Sequence, residues 1–542
     1  MLDLLIKNGK IVDGTGNPWY HGNVGIKDGA IVRLGRFEQE SAKEIDAHDQ
    51  VVAPGFIDGH CHSDLLILDQ PLSEFKIQQG VTTEVVGNCG LAPAPYLKKR
   101  ADQLKKYVGP VIGTTQWEWP WETIGEYIDV LAKSRPSENV ATYVAHGALR
   151  ISVMGFDNRP ANADELREMK ALLEEGMRAG ALGLSIGLLY APGSYTDRTE
   201  IAELCRVVAK YNGLLATHIR GEGNNLLPSV REVIWIAEAS GVSLHISHLK
   251  AAGAANWGKI EEAIGLIEEA RSRGMDVTCD VYPYSAGSTT LTTILPPWAL
   301  EGGIAATLER LADRQTRERI KRELRAEQED WDNLVVSTGW QSVYISAAVT
   351  EAGKALEGKH MLEVSELFGM DPEDAMMELL AREHGEVSIV YFHMEEADVS
   401  KVVRYDRALI ASDSLGCVTG KPHPRSYGTF PRLFAKYVRE DKALTLEQAV
   451  RKVTSFPAAR FKLGNRGLLV PGYMADLVIF NPDTICDKAD YRDPIQYPDG
   501  ISHIIVNGEP TMSEKQHSQA RAGRFIPIQH HSGGCGCGHH EG

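Results

Sequence analysis

The chain has 542 residues, 43% of them hydrophobic, and a formal net charge of -16. That length is more than one small core needs and predicts a large domain with a smaller companion. The acidic balance, without any Lys/Arg run, excludes a nucleic-acid partner, because phosphate contacts need clustered cations.

The opening MLDLLIKNGKIVDG lacks the apolar length and small-residue cleavage site of a signal peptide. No stretch reaches the roughly 18 apolar residues that span a bilayer, so a cytoplasmic location and no membrane partner are expected. Eight cysteines in so long a chain do not read as a disulfide framework. Residues 1–52 alternate apolar and polar groups in short pieces broken by Asn-Gly and Asp-Gly, the pattern of hairpins. The texture returns in GLLVPGYMADLVIFNP and ISHIIVNGEP, within 456–528. Both chain ends are therefore expected to build one small β-sandwich around an inserted middle, residues 53–455.

In the middle, short apolar runs alternate with amphipathic helices, the signature of βα units. VVAPGFID, VTTEVVGN, VATYVAHG, ALGLSIGL, GLLATHIR, VSLHISHL, MDVTCDVY and ALIASDS supply eight strands, and the fold class is α/β, a (β/α)8 TIM-like barrel. A helix after Asn162 is expected to carry a capping box with Glu165, an apolar stripe of Leu166, Met169, Leu173 and Met177, and a stop at Gly180. KIEEAIGLIEEARSRG repeats the design with Ile260, Ile264, Ile267 and Gly274. Residues 287–405 break the rhythm and read as an insertion between the seventh and eighth strands, where a substrate lid would sit.

PGFIDGHCHSD ends the first strand with His60 and His62. Residues two apart on a strand share a face, so the pair could grip one ion. In a parallel barrel all C-terminal strand ends meet at one rim, which joins to this pair Cys89 after the second strand, His218 after the fifth, His248 after the sixth and Asp413 after the eighth. Singly, Cys89 reads as well as a buried small hydrophobe, His218 as a core histidine and Asp413 as a helix cap. Together they suit zinc, with donors enough for two adjacent positions bridged by sulfur. His245, His393 and His423 fit the rim less cleanly and read as structural or supporting.

These residues stand in a longer series: QGVTTEVVGNCGLAPAP, GLSIGLLYAPG, ATHIRGEG, ISHLKAAG, DVYPYSAGST, HPRSYGTFPR and PGYMADLVIFNP. The series resembles the N-acyl-D-amino-acid deacylases, or D-aminoacylases, of the amidohydrolase superfamily. The resemblance implies a zinc-bearing barrel with a β-sandwich, Cys89, His218 and His248 as a tight zinc site, and His60, His62 and Asp413 as a second, weaker one. Cys89 takes the bridging place that many amidohydrolases give to a carboxylated lysine. One essential zinc is expected, activating water and polarising an amide carbonyl while Asp413 accepts a proton and returns it to the leaving amine. The implied reaction is hydrolysis of a small-molecule N-acyl-D-amino acid to a carboxylic acid and a D-amino acid, its handedness resting on resemblance alone. Lys250, Tyr282, Ser288 and Arg425 are candidates to hold the substrate carboxylate, and Tyr190 matches a family position beside it.

The chain departs from the family after Asp413, where Ser414 replaces the usual glycine. TTILPPWALEGG, with Trp298, hints at an apolar side chain or acyl group on the substrate. The tail, residues 529–542 with Cys535, Cys537, His539 and His540, reads as a disordered end rather than part of the site. Rival readings are hydrolysis of cyclic amides or D-dipeptides, and a non-catalytic scaffold.

Overall fold

In the computed structural model, which describes residues 1–416 and 418–528, the eight runs are parallel strands that neighbour one another in sequence order. They are Phe56–Asp58, Val81–Val86, Asn139–Thr142 continued by Val144–Ala145, Gly183–Gly187, Leu214–His218, Ser243–Ile246, Val277–Val281 and Ala408–Ile410. Ser414–Leu415 pairs in parallel with Cys61–His62 and so brings the last strand against the first. Every residue of Val81–Val86 and Leu214–His218 is buried, as expected of strands covered on one side by helices and on the other by the barrel interior. The helix Ala163–Ala179 starts with the reciprocal Asn162–Glu165 capping box, buries Met169, Leu173 and Met177 completely, and ends at left-handed Gly180.

The two chain ends share one nine-stranded sheet. Its central strand Leu2–Ile11 pairs in parallel first with Ser41–Asp46 and then with Val51–Pro54, so the sheet forks around the apolar cluster of Leu4, Ile6, Val24, Val52, Leu477 and Ile505. VVAPGFID is therefore not one barrel strand. Val51–Pro54 lies antiparallel to Leu477–Phe480 in this sheet, and the barrel starts only at Phe56. Gly55 makes the passage: a Cβ there would stand 2.2 Å from Thr82 Oγ1. The C-terminal segment likewise divides. Phe461, Leu463 and Ile528 pack with Ile57, Val85, Ala141 and Leu409 rather than on the sheet, and Val140 N–H donates to Arg524 O at 2.9 Å, so this end of the chain covers the base of the barrel.

Residues 286–392 hold a separate antiparallel sheet of Ala286–Thr290, Ser388–Phe392 and Val343–Ala347, with their own core of Leu291, Ile320, Met376 and Ile389. The charged stretch within them folds as the helices Ile304–Ala312 and Arg314–Leu324. The remainder of the 287–405 segment belongs to the barrel, because Glu396–Arg404 packs on Val277–Val281 and Ala408–Ile410. Cys535, Cys537, His539 and His540 lie outside the described residues, and among those described no helix is long and apolar enough to cross a membrane.

One fully buried cation ties the first, second and eighth strands together. Lys76 Nζ lies 2.5 Å from Asp58 Oδ2, 2.8 Å from Glu84 Oε1 and 3.1 Å from Ser412 Oγ, and Asp58 Oδ1 accepts from Ser412 N at 2.9 Å. Removing the ammonium leaves two buried carboxylates without their counter-charge. Lys76→Met is expected to cost about 3–5 kcal/mol of stability, read from urea unfolding. A cost below about 1 kcal/mol, the range of an exposed pair, would contradict the assignment.

Candidate active site

The C-terminal strand ends bring the six expected side chains together. Cys89 Sγ is 3.2 Å from His60 Nε2 and 3.6 Å from His248 Nε2. His60 Nε2 and His62 Nε2 each lie 3.3 Å from Asp413 Oδ1. The rings of His218 and His248 are 4.4 Å apart, and all six residues are buried. Between the two histidines of the first strand, Cys61 turns the other way and donates to Val85 O, as alternation on a strand requires.

Three of these residues sit in left-handed backbone: Cys89 at φ 55°, His248 at 33° and Asp413 at 50°. Non-glycine residues avoid this region, and it persists where the surroundings over-determine it. They do so here. Asp413 N donates to His60 O at 2.7 Å, His248 N to Asp280 Oδ1 at 2.7 Å, and Gly90 N to Ser185 Oγ at 3.1 Å.

The donor set fits a metal ion. A tetrahedral shell at zinc distances separates its donors by roughly 3.3–3.8 Å, and His60, Cys89 and His248, then His60, His62 and Asp413, form buried donor groups of this kind. His218 Nε2 and His62 Nδ1 are buried without hydrogen-bond partners. Burial alone would raise the Cys89 thiol, but the charge of His60 and the neighbouring imidazoles outweigh it and hold the group well below the ordinary thiol range. Burial would likewise raise Asp413, yet Arg425 and His60 hold its carboxyl well below the usual range. His248 stands at about 9, its burial and the nearby Lys250 outweighed by Glu222 and Cys89.

Two residues missing from the sequence reading complete the frame. Asp280, on the seventh strand, accepts from His60 Nδ1 at 3.2 Å and His245 Nε2 at 2.9 Å. It stands on one of the three strands, the third, fourth and seventh, that carry no metal-competent residue in the sequence reading. Glu222, four residues past His218, lies 3.0 Å from His248 Nδ1 and 2.6 Å from Lys250 Nζ. His245 has a structural place, with Nδ1 2.7 Å from Thr278 Oγ1, and His423 Nε2 donates to Ala286 O at 2.9 Å.

Lys250, Tyr282, Ser288 and Tyr190 line the cavity over the metal-competent cluster. Arg425 does not. Fully buried just behind that lining, it pairs with Asp413 Oδ2 at 2.9 Å, stacks 4.5 Å over the Tyr282 ring and donates from Nη2 to Ser288 O at 3.3 Å. His393, from the insertion, also lines this cavity, and burial with the charge of Lys250 holds it neutral, down to about 3. Leu91, Val111, Leu189 and Tyr190 are shared with a neighbouring cavity of about 580 Å³, whose walls include Phe156, Leu295, Trp298 and Trp331.

The sequence profile of the amidohydrolase family matches residues 43–512. The chain is 34% identical over 528 residues to an N-acyl-D-glutamate deacylase of Alcaligenes xylosoxydans xylosoxydans, covering 97% of this chain and 96% of that one. The structure of N-acyl-D-glutamate deacylase from Bordetella bronchiseptica, complexed with zinc and a phosphonate mimic of the tetrahedral intermediate, superposes with a TM-score of 0.83 at 31% identity, over 97% of this chain and 100% of that one. A D-aminoacylase described as having a binuclear metal centre, activated by one metal and attenuated by a second, superposes with a TM-score of 0.81 at 32% identity over the same shares.

Ligation requires His248 to shed its proton, so zinc affinity is expected to rise with pH up to about 9, as seen by competition with a chelator. In the same titration Asp280→Asn should weaken zinc binding about 10- to 100-fold. An affinity that is flat in pH, or unchanged by the substitution, would contradict this frame.

Proposed function

The chain belongs to the amidohydrolase family, and we propose that it hydrolyses N-acyl-D-amino acids to a carboxylic acid and a free D-amino acid, using one essential zinc ion. The observation that carries this reading is Asp413. Its Oδ1 faces the histidines of the first strand while its Oδ2 is held by Arg425, an ionised carboxylate oriented at the centre of a buried cluster of metal donors. The deacylases to which the chain is similar along nearly its whole length support the substrate class.

Cys89, His218 and His248 would hold the zinc tightly, and His60 and His62 with Asp413 would offer a second, weaker position. When bound, zinc supplies Lewis acidity to the amide carbonyl and makes water acidic enough to attack near neutral pH. Asp413 would take a proton from the attacking water on one carboxylate oxygen as the new C–O bond forms, and return it to the amide nitrogen as the C–N bond breaks. Arg425 keeps the carboxylate ionised and aimed between turnovers. Lys250, Tyr282 and Ser288 would hold the substrate carboxylate, with the Tyr190 hydroxyl, 3.5 Å from His218 Nδ1, in the same lining. The adjoining cavity of about 580 Å³ would take the side chain or acyl group, against an apolar wall of Phe156, Leu295 and Trp298 that faces Arg220, Arg319 and Asp330 in the same lining.

The test is zinc content together with amine release from paired N-acetyl-D- and N-acetyl-L-amino acids that have apolar side chains. About one zinc per chain and turnover of the D series alone are expected. Cys89→Ala should lose the metal and reduce turnover by more than the roughly 100-fold typical of losing an outer-shell partner. Bound zinc without turnover of either series would refute the proposed reaction.

A further inference from the structure

His393 directly follows the strand Ser388–Phe392 of the insertion and lines the cavity with Lys250, Tyr282 and Ser288. It is 6% exposed, yet neither Nδ1 nor Nε2 has a hydrogen-bond partner among the described residues. A buried polar group left unpaired is costly, and each such group in a folded protein calls for an explanation. Misplacement of the chain does not explain this one. His393 O accepts from Gly253 N at 2.8 Å and from Trp257 Nε1 at 3.2 Å, and the ring packs 4.4 Å from that of Tyr391.

The direction of the ring is marked by Gly287. A Cβ on that residue would stand 2.8 Å from His393 Nε2 and 3.3 Å from Tyr282 Oη. The imidazole edge and the phenol hydroxyl thus flank one gap, kept open by the missing side chain. The neighbouring donors are partly engaged, with one of the three Lys250 N–H groups left for a ligand. Lys250 Nζ is held by Glu222 and by His248 Nδ1, and Ser288 Oγ donates to Ile389 O. The N–H of His393 is a further unused donor at the place where the substrate carboxylate is to be held.

We propose that His393 is a substrate-binding residue whose Nε2–H donates to the substrate carboxylate alongside Tyr282 and Lys250. The assignment rests on the deacylase reading above and extends it to a residue supplied by the insertion. It also gives the insertion a part in recognition, because the register of Ser388–Phe392 against Ala286–Thr290 sets where His393 emerges.

The experiment compares steady-state kinetics of the zinc-loaded wild type, His393→Phe and His393→Gln on an N-acetyl-D-amino acid and on its α-carboxamide. His393→Phe is expected to raise KM for the carboxylate substrate about tenfold or more, with kcat held within about threefold. Zinc per chain should be unchanged, and preference for the carboxylate over the carboxamide should fall by a similar factor. His393→Gln, which can place an N–H near the same point, should recover most of the loss. An unchanged KM, or an unchanged preference between the two substrates, would overturn the proposal. So would loss of zinc and kcat together in His393→Phe without recovery in His393→Gln, which is the mark of a packing role. A wild type that turns over neither substrate would refute the deacylase reading, and the proposal would fall with it.

Discussion

The Cys89 sulfur lies 3.2 Å from one imidazole and 3.6 Å from another, out of water, with an ionised carboxylate just beyond them. Bringing such groups together in a low-dielectric interior is costly unless their charges and lone pairs are matched. Much of the surrounding architecture serves that matching. Asp280 and Glu222 take the outer nitrogens of His60 and His248, and Arg425 balances Asp413. Beneath them, Lys76 fixes Asp58 and Ser412, the residues that hold the turn into left-handed Asp413. A parallel barrel suits this task, because separate strands deliver one or two groups each to the same rim while helices and loops seal the surroundings.

The same geometry explains what was legible from sequence. Strand ends are readable because a run of apolar residues stops at a polar one, and the barrel rule converts that stop into a place in space. His60, His62, Cys89, His218, His248 and Asp413 all obey it and all converge. Asp280 sits within an apolar run rather than after it, so its inward direction depended on register, which a single sequence does not show. Glu222 lies on a loop that returns to the rim, and His393 reaches the cavity only through antiparallel pairing of distant segments, Ser288 and Ile389 being 101 positions apart. Arg425 shows a partnership that its place in the sequence does not reveal, because its guanidinium reaches both Asp413 and Ser288 O.

Boundaries misled for a related reason. VVAPGFID is one apolar run, yet Pro54 and Gly55 divide it between two sheets that lie on either side of a close backbone approach to Thr82. Hydrophobicity reports burial, and both halves are buried. The end of the chain shows the same ambiguity. Its apolar residues cover the base of the barrel as readily as they could have joined the sheet, and only the pairing with Val140 decides between them.

The central claim is that the buried cluster is a zinc site built on a cysteine sulfur. X-ray absorption at the zinc edge of the loaded protein tests it directly. The account predicts one sulfur at about 2.3 Å and nitrogen or oxygen donors at about 2.0–2.2 Å for each zinc, with the sulfur signal lost in Cys89→Ser. A wild-type spectrum containing nitrogen and oxygen donors alone would contradict it.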